Sequence, residues 1–102
     1  MPYKILPFAE IDLQESVDWY ALRQPGLEAD LLTDTRKTIQ FINQNPYAYQ
    51  VKYKRKGLQI RKAPANRFPF VVVYFIDENV QCIIIIAIWH TSRNPKKIKK
   101  RL

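Results

Sequence analysis

Residues 68–95 read FPFVVVYFIDENVQCIIIIAIWHTSRNP, and this stretch decides how the rest of the chain folds. Two runs rich in β-branched and aromatic residues, 70–75 and 81–89, flank the polar segment DEN, which predicts a β-hairpin. The second run contains four consecutive isoleucines, so both faces of that strand are apolar. Because such a strand must be covered on both sides, we expect it inside a sheet rather than at a solvated edge.

Two amphipathic helices are predicted before the hairpin. Residues 3–6 lie between prolines and fit a brief strand, and apolar residues then recur at helical spacing from Phe8 to a break at Gln24-Pro25-Gly26. A second helix runs from about residue 27 to residue 43. Its apolar stripe comprises Leu27, Leu31, Thr35, Thr38, Ile39 and Ile42. The short connection predicts an antiparallel helix hairpin whose apolar face needs a sheet to cover.

Two further strands lie between the helices and the hairpin. Residues 47–56 alternate tyrosine and valine with lysine and glutamine, and residues 58–61 alternate again, before a predicted loop over residues 63–66. The predicted fold is α+β, in the order β-α-α-β-β-β(-β), with an N-terminal αα-hairpin packed on one face of an antiparallel sheet. We expect the other face of the sheet to display Arg61 and, near the strand ends, His90.

The composition indicates a single domain covering residues 1–102. We find no secretory signal and no apolar run long enough to span a membrane, so a cytoplasmic protein is expected. The one cysteine, Cys82, lies in the most apolar strand and is interpreted as a small buried hydrophobe. We expect no cofactor, since the sequence has neither a metal-ligand cluster of recognised spacing nor a glycine-rich phosphate loop.

The charge is strongly segregated along the chain. Residues 1–35 carry a net charge of −5 and residues 36–102 carry +13, which together give the +8 of the whole chain. Such a basic region typically meets nucleic acid, an anionic membrane or an acidic protein. The segment KKIKKRL at 96–102 is either a solvated, frayed tail or an electrostatic contact to a partner. The candidate target-binding residues are Lys52, Tyr53, Lys54, Arg55, Lys56, Lys96, Lys97, Lys99, Lys100 and Arg101.

His90 is the only histidine and a candidate general base or acid. In an RNA-cleaving mechanism it would act on the 2′-hydroxyl while Arg61 or Arg93 stabilises charge on the phosphate. The alternative is that His90 and Arg93 close the strand end by hydrogen bonding. No carboxylate lies between Thr35 and Ile76, which excludes a two-carboxylate mechanism around residues 47–67.

The tyrosines of the second predicted strand, residues 47–56, have two interpretations. Tyr47, Tyr49 or Tyr53 could stack on nucleic-acid bases beside the lysines. Alternatively, they pack on the sheet edge while the lysines keep an edge strand soluble.

The motifs, taken in order, resemble a known superfamily. They are AEIDL at 9–13, WY at 19–20, PGLE at 25–28, NP at 45–46, Arg61, RFPF at 67–70, VY at 73–74, AIWH at 87–90 and RNP at 93–95. These motifs identify the chain as similar to the RelE/ParE superfamily toxins of bacterial type II toxin–antitoxin modules. Many such modules are plasmid-stabilisation systems. The resemblance implies the fold described above, growth inhibition and a cognate antitoxin protein. The apolar surface of the helix hairpin, including Trp19, is either the antitoxin groove or a face that packs on the sheet.

The resemblance leaves two targets open. RelE-like members are ribosome-dependent mRNA endonucleases, for which Arg61, His90 and Arg93 would be the catalytic residues. ParE-like members inhibit DNA gyrase without a known catalytic set. No tyrosine follows the last strand and no glutamate follows the second helix, which departs from the nucleases; the ending AIWHTSRNP favours the ParE-like branch. A degenerate, non-toxic member of the superfamily is a third interpretation.

Overall fold

The computed structural model describes the backbone of residues 1–102 and every side chain except that of Pro95. The order of elements confirms the predicted succession of one strand, two helices and four strands. The elements are β1 (Tyr3–Ile5), α1 (Pro7–Arg23), α2 (Leu27–Gln44), β2 (Val51–Arg55), β3 (Leu58–Pro64), β4 (Phe70–Asp77), β5 (Cys82–His90) and a 3-10 helix (Pro95–Arg101). Among the described residues, no helix is long and apolar enough to cross a membrane.

The five strands form one sheet in the order β1-β5-β4-β3-β2. The isoleucine-rich β5 therefore lies between two neighbours, as its apolar faces predict. Its pairing with β1 is parallel, whereas all other pairs are antiparallel, so the sheet is mixed rather than purely antiparallel. The reason is that Pro7 starts α1 directly after β1, so β1 forms no hairpin and instead joins the free edge of β5 in the same direction.

The helix hairpin covers one face of the sheet. Ala9 of α1 and Ile39 and Ile42 of α2 pack with Val72 and Ile85 in a buried apolar cluster. The stripe predicted for α2 is confirmed, since all its members except the half-buried Leu27 are buried. The loop predicted at 63–66 begins later, because Ala63 is fully buried and β3 continues through Pro64. Proline is tolerated there because it is the last residue of its strand.

The opposite face is covered by the 3-10 helix. Ile98 is 1% exposed and packs with Ile60, Val73 and Trp89. The segment interpreted as a solvated tail is thus part of the core, because its one central apolar residue closes over the sheet. Arg61 was expected on this face but lies on the helix-covered one, since its strand neighbour Ile60 occupies the second cluster.

Asp12 and Arg101 satisfy the backbone groups of β5 that no neighbouring strand pairs with. The last backbone bond from the β1 segment joins the N–H of Leu6 to the carbonyl of Ile85. Beyond it, the N–H of Ile88 donates to Asp12 at 3.2 Å and the carbonyl of Ile86 accepts from Arg101 at 3.0 Å. The two side chains also form a two-pronged ion pair of 2.5 and 2.8 Å. The pair therefore replaces the missing strand on a buried edge.

Candidate functional site

The basic residues of β2 and the 3-10 helix meet around one cavity on the sheet face opposite the helices. It has a volume of about 360 Å³. Its lining residues are Tyr53, Lys54, Arg55, Lys96, Ile98 and Lys99. The two basic stretches predicted as target-binding thus form one surface, although 40 residues separate Arg55 from Pro95 in sequence. We call this cavity and its rim the basic cleft.

The hairpin turn between β2 and β3 holds the cleft together. Lys56 and Gly57 both have positive φ, 51° and 79°, which matches the tight two-residue turn that joins the strands. Glycine favours this conformation, and the turn places Lys56 so that its Nζ donates to the carbonyl of Leu102 at 2.8 Å. The 3-10 helix is consequently tied to β2 both by this contact and by Ile98.

The other candidate target-binding residues divide into two groups. Lys52, Lys97 and Lys100 are exposed and belong to the same two elements, β2 and the 3-10 helix, as the residues that line the cleft. Arg101 instead points toward Asp12, with its guanidinium carbon 4.6 Å from the centre of the Trp89 ring. Because its donors serve the ion pair and the edge of β5, the structure gives Arg101 a structural contact and not a surface one.

The tyrosines do not form one stacking face. Tyr49 packs on Phe41 at the helix side, with ring centres 5.8 Å apart, whereas Tyr53 joins the cluster on the opposite side. The strand alternation predicted one face for both residues. A register shift between Val51 and Tyr53 reverses the faces, because two residues of β2 there oppose one step of β3.

His90 makes its hydrogen bonds within its own turn. Its Nδ1 accepts from the backbone N–H of Ser92 at 3.0 Å, and the Ser92 hydroxyl lies 2.8 Å away. The neutral ring then carries its proton on Nε2, so the nitrogen that could accept a proton is already engaged. Its ring packs edge to face on Phe70, at 5.7 Å between centres. This geometry favours the interpretation of His90 as the residue that closes the strand end.

Arg93 lies beside His90 in a cavity between α1 and the end of β5. The cavity has a volume of about 370 Å³, and Glu15, Trp19 and Trp89 also line it. The Arg93 guanidinium stacks on Trp89 at 5.2 Å, and its Nε is buried without a hydrogen-bond partner among the described residues. Four of its ten lining residues are tryptophan, tyrosine or phenylalanine and the other six are polar or charged, and it shares no lining residue with the basic cleft.

Arg61 is separated from both. Arg61 pairs with Tyr74 of β4, and His90 pairs with Phe70 of the same strand from its other side. The two residues are therefore four positions apart along β4 and two strands apart across the sheet, so that their backbones lie about 16 Å apart at usual sheet spacings. The Arg61 guanidinium donates to the carbonyls of Tyr47 and Tyr49 and stacks on the Tyr47 ring at 5.3 Å. The structure therefore brings His90 and Arg93 together but leaves Arg61 apart, as a residue that holds the loop before β2.

A carboxylate that was not predicted reaches this loop. Glu78, in the turn after β4, accepts a hydrogen bond of 3.0 Å from the Tyr47 hydroxyl. This bond raises the pKa of Tyr47. Although no acidic residue is present between Thr35 and Ile76 in sequence, folding supplies one from the hairpin turn. No local signal predicts such a contact, because 31 residues separate the partners.

Tyr74 allows a test of packing beneath this loop. Its hydroxyl donates to the carbonyl of Pro46 at 2.8 Å, and burial raises its pKa to about 12. Folding thus favours the neutral form of the Tyr74 hydroxyl. Its contribution to the free energy of unfolding is therefore complete below the unfolded pKa of about 10 and is lost as the pH rises toward 12. In urea titrations at neutral pH, we expect Tyr74→Phe to cost about 1 kcal/mol. That cost should shrink above pH ~10. An equal cost at neutral pH and above pH ~10 would contradict a raised pKa for Tyr74.

Within the part of the chain that the structure describes, no group of three His, Cys, Asp or Glu side chains is placed to hold a metal ion. Residues 3–95 match the family described as ParE toxin of type II toxin–antitoxin system, parDE. The chain belongs to this ParE toxin family.

Solved structures show the same fold at low sequence identity. A chain from the chromosomal ParDE toxin–antitoxin system of P. aeruginosa is 20% identical, with a TM-score of 0.74, and the match covers 88% of this chain and 95% of that one. A chain from the RelBE2 toxin–antitoxin complex of Mycobacterium tuberculosis is 16% identical, with a TM-score of 0.57, and coverage of 87% and 95%. A comparison with the sequences of curated proteins gave no significant match.

Proposed function

We propose that this toxin inhibits DNA gyrase by binding it, without catalysis by its own residues. The observation that supports this choice is that the backbones of His90 and Arg61 lie about 16 Å apart. Each side chain also bonds to nearby backbone, His90 to the N–H of Ser92 and Arg61 to the carbonyls of the loop before β2. An mRNA endonuclease needs its base and its phosphate-stabilising arginines at the same phosphate, and only Arg93 lies beside His90. The family match over residues 3–95 agrees with the choice.

The runner-up is a ribosome-dependent mRNA endonuclease. It is favoured by the charge of +13 over residues 36–102 and by the exposed Lys52 and Lys54 on the edge strand. Such a surface suits ribosomal RNA as well as gyrase-bound DNA. The catalytic residues in that case would be Arg61, His90 and Arg93.

We further propose that a cognate antitoxin binds the outer face of α1. Phe8, Ile11, Trp19 and Leu22 are 48%, 56%, 49% and 84% exposed, and all lie on this one helix. Large apolar side chains at such exposure typically mark a protein-binding surface. Both structural neighbours come from toxin–antitoxin systems, which supports a partner of this kind.

Separate labelling of new protein and new DNA tests the target. After induced expression of the chain alone in a bacterium, we expect DNA synthesis to stop while protein synthesis continues, because gyrase inhibition blocks replication first. His90→Gln should change the inhibition of DNA synthesis by less than about threefold, since the His90 ring forms hydrogen bonds only within its own turn. Prompt arrest of protein synthesis that His90→Gln abolishes would instead establish the nuclease. Normal growth with folded protein would indicate a degenerate toxin.

A charge-matched pair of variants tests the surface. In a supercoiling assay with purified gyrase, Lys96→Gln/Lys97→Gln/Lys99→Gln should weaken inhibition at least tenfold, because three exposed charges leave the proposed contact. The control removes three exposed charges elsewhere, in Lys4→Gln/Arg36→Gln/Lys37→Gln, and should remain near wild type. Equal losses in both variants would mean that net charge alone matters, and would contradict a localised site.

A further inference from the structure

We propose that the basic cleft is a phosphate site and that it binds the phosphodiester backbone of DNA. The inference rests on the proposed function, in which the toxin acts on an enzyme that holds DNA, and it names the chemical group that the toxin would contact there. It assigns this contact to particular donors and not to the positive charge of the chain as a whole.

Two buried donors in the cleft lack partners. The hydroxyl of Tyr53 and the Nε of Arg55 are both buried and have no hydrogen-bond partner among the described residues. Leaving such groups unpaired costs free energy, and in a folded protein each one calls for an explanation. Both belong to residues that line the same cavity of about 360 Å³. Both atoms are shielded from solvent in the free protein, so a ligand in the cavity would satisfy them only after the side chains around them move aside.

The chemistry of the lining specifies an anion. Lys54, Lys96 and Lys99 line the cleft, and none of its lining residues described by the structure is acidic. A fourth ammonium lies close by, because Lys62 Nζ is 5.5 Å from the centre of the Tyr53 ring. Burial raises the pKa of Tyr53, so its hydroxyl keeps its proton and is available to donate. Every polar side chain around the cavity can therefore act as a donor.

The arrangement favours phosphate over a carboxylate. The donors come from two directions, from the edge strand β2 and from the 3-10 helix, and the tetrahedral oxygens of phosphate accept from several directions at once. The same two elements carry further exposed lysines, Lys52 on β2 and Lys97 and Lys100 on the 3-10 helix. Several positive charges on neighbouring elements match the repeating phosphates of a polynucleotide better than a single side chain.

Fluorescence anisotropy with a labelled DNA duplex tests the site without gyrase. We expect binding to weaken steeply between about 50 and 200 mM salt. Tyr53→Phe removes one hydroxyl and should weaken DNA binding about fivefold at fixed salt. Lys99→Gln should reduce the slope of log K against log salt by about 0.9. The control is Tyr49→Phe, another half-buried tyrosine four residues earlier on the opposite face, which should bind as wild type.

Several outcomes would overturn the proposal. Wild-type affinity in Tyr53→Phe, with its fold verified by thermal melting, would show that the cleft does not hold the phosphate. Competition by poly-glutamate at lower concentration than DNA would identify an acidic protein as the occupant. Tighter binding of RNA than of the matched DNA would contradict DNA as the ligand. If inorganic phosphate displaced the DNA at a concentration equal to that of the DNA, the cleft would be a site for free phosphate and not for a polynucleotide.

The gyrase assay separates this inference from the proposed function. A toxin that binds DNA through Tyr53 but leaves supercoiling unaffected would contradict gyrase as the target and keep the phosphate site. A toxin that inhibits gyrase equally with tyrosine or phenylalanine at position 53 would keep the target and overturn the phosphate site.

Discussion

Replacing Arg101 by alanine is expected to cost about 3–5 kcal/mol of unfolding free energy. Asp12 is 4% exposed, and without Arg101 its carboxylate would be a buried charge with no ion-pair partner. The carbonyl of Ile86 would also lose its donor. Small domains have a total stability of about 5–15 kcal/mol, so this one change removes a large part of it. Urea denaturation followed by circular dichroism measures the loss.

Two comparisons test the cause of that loss. Lys100→Ala removes the adjacent charge, which is exposed, and should change stability by less than about 0.5 kcal/mol. In an Asp12→Asn background, Arg101→Ala should cost at least ~1.5 kcal/mol less than in the wild type, because a neutral amide leaves no buried charge behind. A loss of similar size in both backgrounds would mean that packing on Trp89, and not the ion pair, holds the 3-10 helix.

Replacing Asp34 by alanine is expected to cost about 2–3 kcal/mol. This side chain on α2 accepts the backbone N–H groups of Asn66, Arg67 and Phe68 at 3.1, 2.8 and 2.9 Å. It thus holds the loop between β3 and β4 against the helix hairpin. Asp30→Ala is the matched control, since Asp30 lies one turn earlier and makes only an exposed contact of 3.9 Å to Arg67. Such pairs contribute less than about 1 kcal/mol.

The pH dependence of Asp34 follows from the same contacts. Burial alone would raise its pKa, but the three backbone N–H groups, with Arg67 nearby, hold the pKa below its usual range. The stabilisation is therefore present above the unfolded pKa of about 3.9 and is lost as the pH falls through the folded value. The advantage of wild type over Asp34→Asn should be constant at neutral pH and shrink below pH ~4. An advantage that grows in acid would contradict this sign.

The fold was predictable where the pattern of apolar residues was clear and where helix-breaking residues marked the ends of elements. Four isoleucines in β5 predicted its interior position, and Gln24-Pro25-Gly26 predicted the division between α1 and α2; the structure has both features. The parallel pairing of β1 was not predicted, because a three-residue strand carries no information about its partner.

The site was predictable in composition but not in arrangement. The basic residues of β2 and of the 3-10 helix were identified, yet the register shift in β2 decides which face Tyr53 occupies, and alternation alone cannot reveal it. Ile98 was a usable signal, since one apolar residue among six in KKIKKR needs a buried contact. The structural contacts of Asp12 and Asp34 were not predicted, because nothing local to either residue reveals that backbone N–H groups distant in sequence will require a carboxylate.

The pairing of Asp12 with Arg101 has a consequence for biosynthesis. These partners are 89 residues apart, and β1 likewise waits for β5, so the outer edge of β5 is finished only when residue 101 has been made. Contacts of such long sequence separation form late and slowly. A nascent chain that stops before Arg101 keeps an unfinished edge on β5. We therefore expect the growing polypeptide to be harmless to its host until residue 101 has been made.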